Sequence, residues 1–151
     1  MTLDRAGVTY EVRAYDHDPS AASYGLEAAE ALGVEPARVL KTLLVDTDKG
    51  LGVGIVPVDT TLDLKAVASA LGAKKATMAD PVVAERTTGY VVGGISPIGQ
   101  KKRLPTVLDE SATGFGTVLV SGGKRGFDIE LAPDALLEVT GATTAPIARR
   151  A

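Results

Sequence analysis

Residues 89–109 read GYVVGGISPIGQKKRLPTVLD and form the most unusual stretch of the chain. Small or ring-constrained residues concentrate in its first half, at Gly93, Gly94, Ser96, Pro97 and Gly99. Glycine pairs allow positive φ angles, so that successive backbone N–H groups can face a ligand oxygen, and a proline keeps such a loop rigid. The P-loop pattern is absent, and a tight turn between strands explains the spacing at least as well. The segment by itself leaves a turn and a binding loop open.

Outward from this stretch, apolar periodicity indicates strands and helices in an irregular order. Strands are predicted at residues 8–15, 39–46, 51–58, 90–92, 117–121 and 127–131. Helices are predicted to begin at Ser23, Asp63, Asp80 and Pro133 and to end at Gly33, Gly72, Gly89 and Gly141. Residues 47–50 indicate a hairpin turn. Hairpins with helices inserted between them, without a βαβ rhythm, predict an α+β fold with a curved or barrel-like, mainly antiparallel sheet.

Several local features refine this prediction. Apolar side chains alternate in residues 8–15, which predicts a half-buried strand. Gly52 and Gly54 share one strand face, which indicates either the close approach of another segment or the floor of a pocket. Residues after Ala142 form a tail that either packs or frays. Because we find no linker, repeat or low-complexity segment, we expect a single domain over residues 1–151.

The amino-acid composition excludes several kinds of catalytic and metal-binding site. The chain has no cysteine and one histidine, His17, which excludes a cysteine nucleophile, disulfides and a multi-histidine zinc site. No G-x-S-x-G elbow accompanies His17, which argues against a Ser-His-Asp triad. Asp16 and Asp18 would favour its charged form, so a turn histidine is the better interpretation. We expect no metal and no cofactor, and chemistry from lysine, aspartate, hydroxyls, backbone amides or the substrate.

Charge and hydropathy bear on location and partners. No apolar run approaches the roughly 20 residues of a membrane helix, and no secretion signal is evident, so we expect a cytoplasmic protein without a membrane partner. The net charge of −3 argues against coating DNA or other nucleic acid through overall charge. Basic residues nevertheless cluster at 74–75, 101–103, 124–125 and 149–150. Several clusters on one face would suit the few phosphates of a tRNA end.

Six stretches of the chain together match the pattern of one known family. The main ones are YDHDPSAASYGLEAA at 15–29, VLKTL at 39–43, the whole of 89–109, and VSGGKRGFDIELA at 120–132, and DLK at 63–65 and MADP at 78–81 also fit. On these stretches, which cover nearly the whole chain in order, the chain resembles the YbaK/EbsC family of bacterial Cys-tRNA(Pro) deacylases, members of the bacterial prolyl-tRNA-synthetase editing superfamily. One departure is the short segment before the first strand, where the family usually has a longer helix.

The resemblance implies a fold and a loop function. The fold would be a curved, mostly antiparallel mixed sheet or pseudo-barrel surrounded by helices. The family's G-x-x-x-P loop maps onto residues 93–97, where backbone amides would hold the carbonyl of the esterified amino acid. The residues that this loop would contribute are Gly93, Gly94, Ser96 and Pro97.

The resemblance also places the family's essential lysine at Lys41 and further pocket residues at Tyr15, Tyr24 and Asp128. Without it, Lys41 and Asp128 would be ordinary surface charges and the tyrosines core or rim aromatics. In the functional interpretation, Lys41 binds the terminal adenosine or stabilises the developing oxyanion. Asp128 binds the substrate's α-ammonium or orients Lys41, and the tyrosines line the amino-acid pocket or stack on the terminal base.

The implied activity is hydrolysis of mischarged Cys-tRNA(Pro) in trans, with Cys-tRNA(Cys) as a further candidate substrate. The resemblance implies that the thiol of the bound cysteine attacks its own carbonyl, a step that effective molarity would favour. The acceptor end of aminoacyl-tRNA is the expected partner, and a complex with prolyl-tRNA synthetase could select the tRNA, since no RNA-recognition motif is present. Two alternatives stay open: an Ala-tRNA(Pro) deacylase of the same superfamily, and a non-catalytic module that binds aminoacyl-tRNA.

Overall fold

The computed structural model of the chain describes residues 9–15, 24–90, 95–98, 100, 104–124 and 126–149, with the side chains of 24–26 and 124 left aside. The strands within these ranges are β1 (Tyr10–Ala14), β2 (Leu40–Thr47), β3 (Gly50–Pro57), β4 (Thr61–Leu62), β5 (Ala76–Met78), β6 (Thr106–Asp109), β7 (Val118–Lys124), β8 (Phe127–Leu131), β9 (Thr143–Ala145) and β10 (Ala148–Arg149). The α-helices are α1 (Tyr24–Leu32), α2 (Leu64–Ala70), α3 (Pro81–Thr88) and α4 (Pro133–Thr140). Two 3₁₀ turns span Pro36–Arg38 and Glu110–Gly114.

Helix ends follow the predicted capping residues. The Asp63 carboxylate accepts the Ala66 amide at 3.1 Å at the start of α2, and Asp80 accepts the Val82 amide at 2.8 Å at the start of α3. Gly89 and Gly141 end α3 and α4 with φ angles of 83° and 68°, a left-handed conformation that glycine adopts without strain. These local signals were readable in the sequence because caps act on their immediate neighbours.

Two sheets join into one curved surface. A five-stranded sheet has the order β5-β2-β3-β6-β9, and a three-stranded sheet has the order β1-β8-β7. A parallel bridge between Val39 and Leu119 places β7 beside the start of β2 and connects the two sheets. Among the described strand pairs, β6 runs parallel to both of its neighbours, β3 and β9, and every other pair is antiparallel. The predicted α+β fold with a mainly antiparallel, mixed, curved sheet is confirmed.

Helices cover both faces of this surface. One face carries the largest hydrophobic cluster, which includes Ala84 of α3 and Leu136 of α4. The opposite face carries two smaller clusters. We call them the α1 cluster, which contains Ala28, Ala29, Val39, Val58 and Leu119, and the α2 cluster, which contains Val45, Val56, Val67, Val107 and Ile147. No helix within the described ranges is both long enough and apolar enough to cross a bilayer.

The structure corrects the prediction for the first strand. Tyr10 packs against the largest cluster as expected, but Val12 on the same face is 50% exposed. β1 is an edge strand of its sheet, with a neighbouring strand on one side only. Of the predicted strand at 90–92, Tyr90 lies in a bend, and residues 91 and 92 lie outside the described residues.

Residues 106–109 form β6, a central strand that the sequence analysis left within an unusual loop. The tail after Ala142 packs: β9 pairs with β6, β10 pairs with β4, and Ile147 is fully buried. Gly52 and Gly54 serve close packing, because a Cβ on them would lie 2.6 Å from Leu71 Cδ1 and 3.0 Å from Leu62 Cδ1, respectively. Short parallel pairs between distant segments leave little periodicity in the sequence.

Candidate functional site

Strand β2 carries Lys41 between two hydrophobic patches on one sheet face. Side chains alternate across a strand, so Lys41 shares its face with Val39 on one side and with Leu43 and Val45 on the other. Val39 belongs to the α1 cluster, and Leu43 and Val45 pack with the α2 cluster. The ammonium group is half-buried at this junction, and burial lowers its pKa.

The turn after β3 brings Asp59 close to Lys41. The hairpin pairs Lys41 with Val56, and the Val58 amide donates to the Val39 carbonyl at 2.8 Å, one step beyond the paired strands. The negative charge of Asp59 raises the pKa of Lys41 and so opposes the effect of burial. Asp59 was missed at the sequence level: the hairpin register extended outward from residues 47–50 places it opposite Arg38, and only the turn after β3 brings it close to Lys41.

Strand β8 places Asp128 on the same face as Lys41. β2 and β7 run parallel from the bridge between Val39 and Leu119, so Lys41 and Ser121 each lie two residues further along neighbouring strands. Ser121 is the cross-strand partner of Asp128. Partners in an antiparallel pair project from the same face. One strand, β7, therefore separates the strand of Lys41 from the strand of Asp128.

The Asp128 carboxyl is buried and poorly solvated. Its residue is only 6% exposed, and burial raises its pKa to about 7. Desolvation disfavours the charged form of a carboxyl, and a cation placed beside it reverses that effect. Asp128 is therefore partly protonated near neutral pH and is suited to binding a positively charged group.

Tyr15 lies beside Asp128 at the end of β1. Its amide donates to the Gly126 carbonyl at 3.0 Å, and its ring packs with the α1 cluster. Burial raises the pKa of the Tyr15 hydroxyl, and the charges of Asp128 and Glu27 raise it further. Tyr24 begins α1, but its side chain lies outside the described residues.

Ser96 and Pro97 lie in a buried turn. The Ser96 residue is 1% exposed, and its hydroxyl oxygen accepts the Ile98 amide at 3.2 Å. Ile95 and Ile98 on either side pack into the largest hydrophobic cluster. This hydroxyl thus helps to shape its own turn, and its role as a substrate contact stays a prediction. Gly93 and Gly94, together with His17, lie outside the described residues.

Tyr90 links this turn to the strand that carries Ser121. The Tyr90 hydroxyl donates to the Ile98 carbonyl at 2.6 Å. A Cβ on Gly123 of β7 would lie 2.9 Å from Tyr90 Cε1, so the ring packs directly against that glycine. The structure thus brings Lys41, Asp128 and Tyr15 to one face and holds the 95–98 turn near the end of β7. Within the described ranges, no three side chains of the metal-binding types come together.

Comparison with known proteins shows the family of the chain. The family model described as "Aminoacyl-tRNA editing domain" matches residues 18–139. A protein of Enterococcus faecalis, named "Putative Cys-tRNA(Pro)/Cys-tRNA(Cys) deacylase EbsC", is 48% identical over 120 residues, which cover 79% of this chain and 73% of that protein.

Two further proteins relate the chain to prolyl-tRNA synthetase. A proline–tRNA ligase of Desulforamulus reducens is 34% identical over 99 residues, which cover 66% of this chain and 17% of the ligase. A crystal structure described as "a putative trans-editing enzyme for prolyl tRNA synthetase" superposes with a TM-score of 0.82 at 28% identity and covers 98% of this chain and 97% of that one. The chain therefore belongs to the aminoacyl-tRNA editing domain family.

Proposed function

We propose that the chain is an aminoacyl-tRNA deacylase that hydrolyses mischarged Cys-tRNA(Pro) in trans. Its family and its similarity to EbsC support this activity. The observation that carries the proposal is that the half-buried Lys41 and the buried carboxyl of Asp128 lie on one face of the sheet. Only β7 lies between the strands that carry them. An aminoacyl ester presents an ammonium group, a carbonyl and nearby phosphate, which match these two charges.

The two charged residues divide the recognition of the substrate. Asp128 binds the α-ammonium of the esterified amino acid, because a cation beside this buried carboxyl stabilises its ionised form. Lys41 holds the terminal adenosine or the developing oxyanion, with Asp59 maintaining the charge of its ammonium group. Tyr15 borders the amino-acid pocket beside Asp128.

The remaining members of the site complete the pocket. Tyr24 at the start of α1 supplies a second aromatic wall. The loop that contains Gly93 and Gly94 contributes amides that stabilise the oxyanion, and Ser96 and Pro97 hold the end of that loop in a rigid turn.

The substrate's own thiol delivers the attack. The sulfur of the bound cysteine forms a C–S bond with its carbonyl carbon, the C–O bond to the ribose breaks, and the thiol proton passes to the departing ribose oxygen. Water then opens the resulting thiolactone to free cysteine. The thiol is already positioned within the same molecule, so a high effective molarity lowers the barrier. Neither a protein nucleophile nor a cofactor is required.

A deacylation assay with Cys-, Ala-, Ser- and Pro-tRNA(Pro) tests the proposal. We expect rapid loss of cysteine and slow loss of the other amino acids. Lys41→Ala should slow the reaction about a hundredfold to a thousandfold, the usual effect of removing one oxyanion-stabilising group. Lys65→Ala, an exposed lysine of α2, is the matched control. Equal rates for Cys- and Ala-tRNA(Pro) would exclude the thiol mechanism, and binding without turnover would identify a non-catalytic module.

Selection of the tRNA is proposed to involve prolyl-tRNA synthetase in the cytoplasm, where tRNA is charged. The support is the similarity to a proline–tRNA ligase and to the trans-editing enzyme. Adding prolyl-tRNA synthetase to the assay should raise the preference for Cys-tRNA(Pro) over Cys-tRNA(Cys). An unchanged preference would show that prolyl-tRNA synthetase takes no part in selecting the tRNA.

A further inference from the structure

A network of charges surrounds Glu130 on β8, two residues from Asp128. Glu130 forms a salt bridge with Arg13 of β1 and another with Arg38, whose Nη2 lies 3.0 Å from Oε2. The Thr117 hydroxyl donates to the same carboxylate at 2.5 Å. Arg38 also donates to the Thr117 hydroxyl at 2.6 Å and to its carbonyl at 3.1 Å, so the carboxylate is anchored from β1, from the residue that precedes β7 and from the 3₁₀ turn. No role in the proposed reaction accounts for this network.

The register of β1 and β8 makes the position of Arg13 informative. Arg13 is the direct cross-strand partner of Asp128, whereas Glu130 is the partner of Glu11. Direct partners have Cβ atoms about 4.5–5.5 Å apart, so Arg13 is the nearest cation of β1 to Asp128. Its guanidinium nevertheless turns diagonally along the sheet to Glu130. Burial raises the pKa of Asp128, and no neighbouring cation among the described residues contributes to it.

We propose that Glu130 is a positioning residue that holds the Arg13 guanidinium away from Asp128 and so reserves that carboxyl for the substrate's ammonium group. An arginine paired with Asp128 would neutralise the carboxylate within the protein and repel an incoming ammonium. The inference rests on the proposed role of Asp128 in the deacylase site. It explains why a second carboxylate, bonded to two arginines and a threonine, lies on the same strand face.

The other charged or titratable groups facing this region are few. Among the described residues they are Tyr15 and Glu11 from β1, Glu27 from α1, Arg38 from the 3₁₀ turn and Lys41 from β2. Lys41 lies on β2, which β7 separates from β8, and Arg38 is also bonded to the carbonyl and hydroxyl of Thr117, independently of Glu130. When Glu130 loses its charge, Arg13 is therefore the cation best placed to pair with Asp128.

A two-residue variant cycle with carboxyl-carbon NMR titration of Asp128 tests the inference without any assay of activity. Glu130→Gln should lower the pKa of Asp128 by about one pH unit or more, because a cation within reach of a carboxyl favours its ionised form. Arg13→Gln alone should leave that pKa near its original value or slightly above it. The double variant should restore it.

The double variant separates two causes. If the pKa of Asp128 stays low when both Glu130 and Arg13 are replaced, Glu130 acts only through its own negative charge and the inference is wrong. An unchanged pKa in the single variant Glu130→Gln overturns it as well. Glu11→Gln removes the same charge from an exposed position on the same face of β1 and should leave the Asp128 pKa close to its original value.

Activity provides a second, distinguishable readout. Under the proposed function, Glu130→Gln should raise KM for Cys-tRNA(Pro) more than it lowers kcat, and the acid limb of the pH profile should move to lower pH. The double variant should recover both. A shifted Asp128 titration with no deacylation in the unaltered protein would refute the proposed function while retaining the Arg13 inference.

Discussion

Lys41 on β2 lies close enough to Asp59, in the turn after β3, for the carboxylate to raise the pKa of an ammonium group that burial lowers. Lys41 pairs with Val56, and the register continues to the hydrogen bond between Val58 and Val39, so the turn that carries Asp59 begins close to Lys41. Two opposed influences therefore act on the pKa of Lys41, and burial is the larger of the two.

Asp59→Asn should therefore lower the pKa of Lys41. With the negative charge gone, burial acts without opposition, and the neutral amine forms at lower pH. NMR titration of the lysine side chain measures the change directly, and the alkaline limb of the deacylation profile should move to lower pH. Asp46→Asn, an exposed aspartate on β2, is the control. A Lys41 titration identical in both variants would contradict the assignment of Asp59.

The stability of the protein should depend on the ionisation of Asp128. Its pKa is about 7 in the folded state against 3.8 for an ordinary aspartate, so the folded state binds more protons between these values. The Asp128 contribution is fully present below about pH 4 and is lost as the pH rises through about 7. The difference amounts to about 4 kcal/mol at most.

Urea unfolding of the wild type and of Asp128→Asn at pH 5 and pH 8 checks this sign. The asparagine cannot ionise, so the variant should gain stability relative to the wild type as the pH rises. Asp134→Asn, an exposed residue of α4, serves as control and should show no comparable change. A constant difference between wild type and Asp128→Asn would mean that the folded state does not perturb this carboxyl.

Asp109 should anchor the C-terminal segment. Its Oδ1 accepts the amides of Ile147 and Ala148 at 2.9 Å each, and its Oδ2 accepts the Ser111 hydroxyl at 2.5 Å. Asp109→Ala removes the acceptor for these donors and should lower the free energy of unfolding by about 3 kcal/mol or more.

Asp109→Asn keeps the Oδ1 acceptor and should cost less, which makes it the matched comparison. Urea unfolding gives the free energies, and hydrogen exchange at residues 143–149 reports on the segment. Equal stability of the alanine and asparagine variants would show that the carboxylate does not hold the tail.

Gly122 should tolerate no side chain. A Cβ there would lie 2.1 Å from Phe127 Cδ1 and 3.0 Å from the Phe127 carbonyl oxygen, so both a ring and backbone would have to move. Gly122→Ala should lower the free energy of unfolding by about 1–3 kcal/mol, the usual cost of overpacking. Gly116→Ala meets nothing within 4 Å and should change stability by less than about 1 kcal/mol. Similar unfolding free energies for the two variants would contradict the crowding at Gly122.

The structure describes some of the predicted site residues and not others. Sequence resemblance picked out Lys41, Asp128 and Tyr15, and the structure brings them to one sheet face. The resemblance did not reveal Asp59, which lies outside the matching stretches, and it gave no role to Glu130, although that residue lies within the matching stretch 120–132. The hydroxyl of Ser96, a predicted substrate contact, is used within its own turn. The catalytic and binding roles of all these residues, and of Gly93, Gly94, Pro97 and Tyr24, stay predictions.

The sequence by itself determined the structures that depend on near neighbours. The hairpin of β2 and β3, the caps at Asp63 and Asp80 and the glycine helix ends follow from residues within a few positions of one another. The tertiary structure decided which distant segments meet: the bridge between Val39 and Leu119, the central position of β6, and the diagonal pairing of Arg13 with Glu130. Strand partners far apart in the chain are selected by packing and register, which no local pattern records.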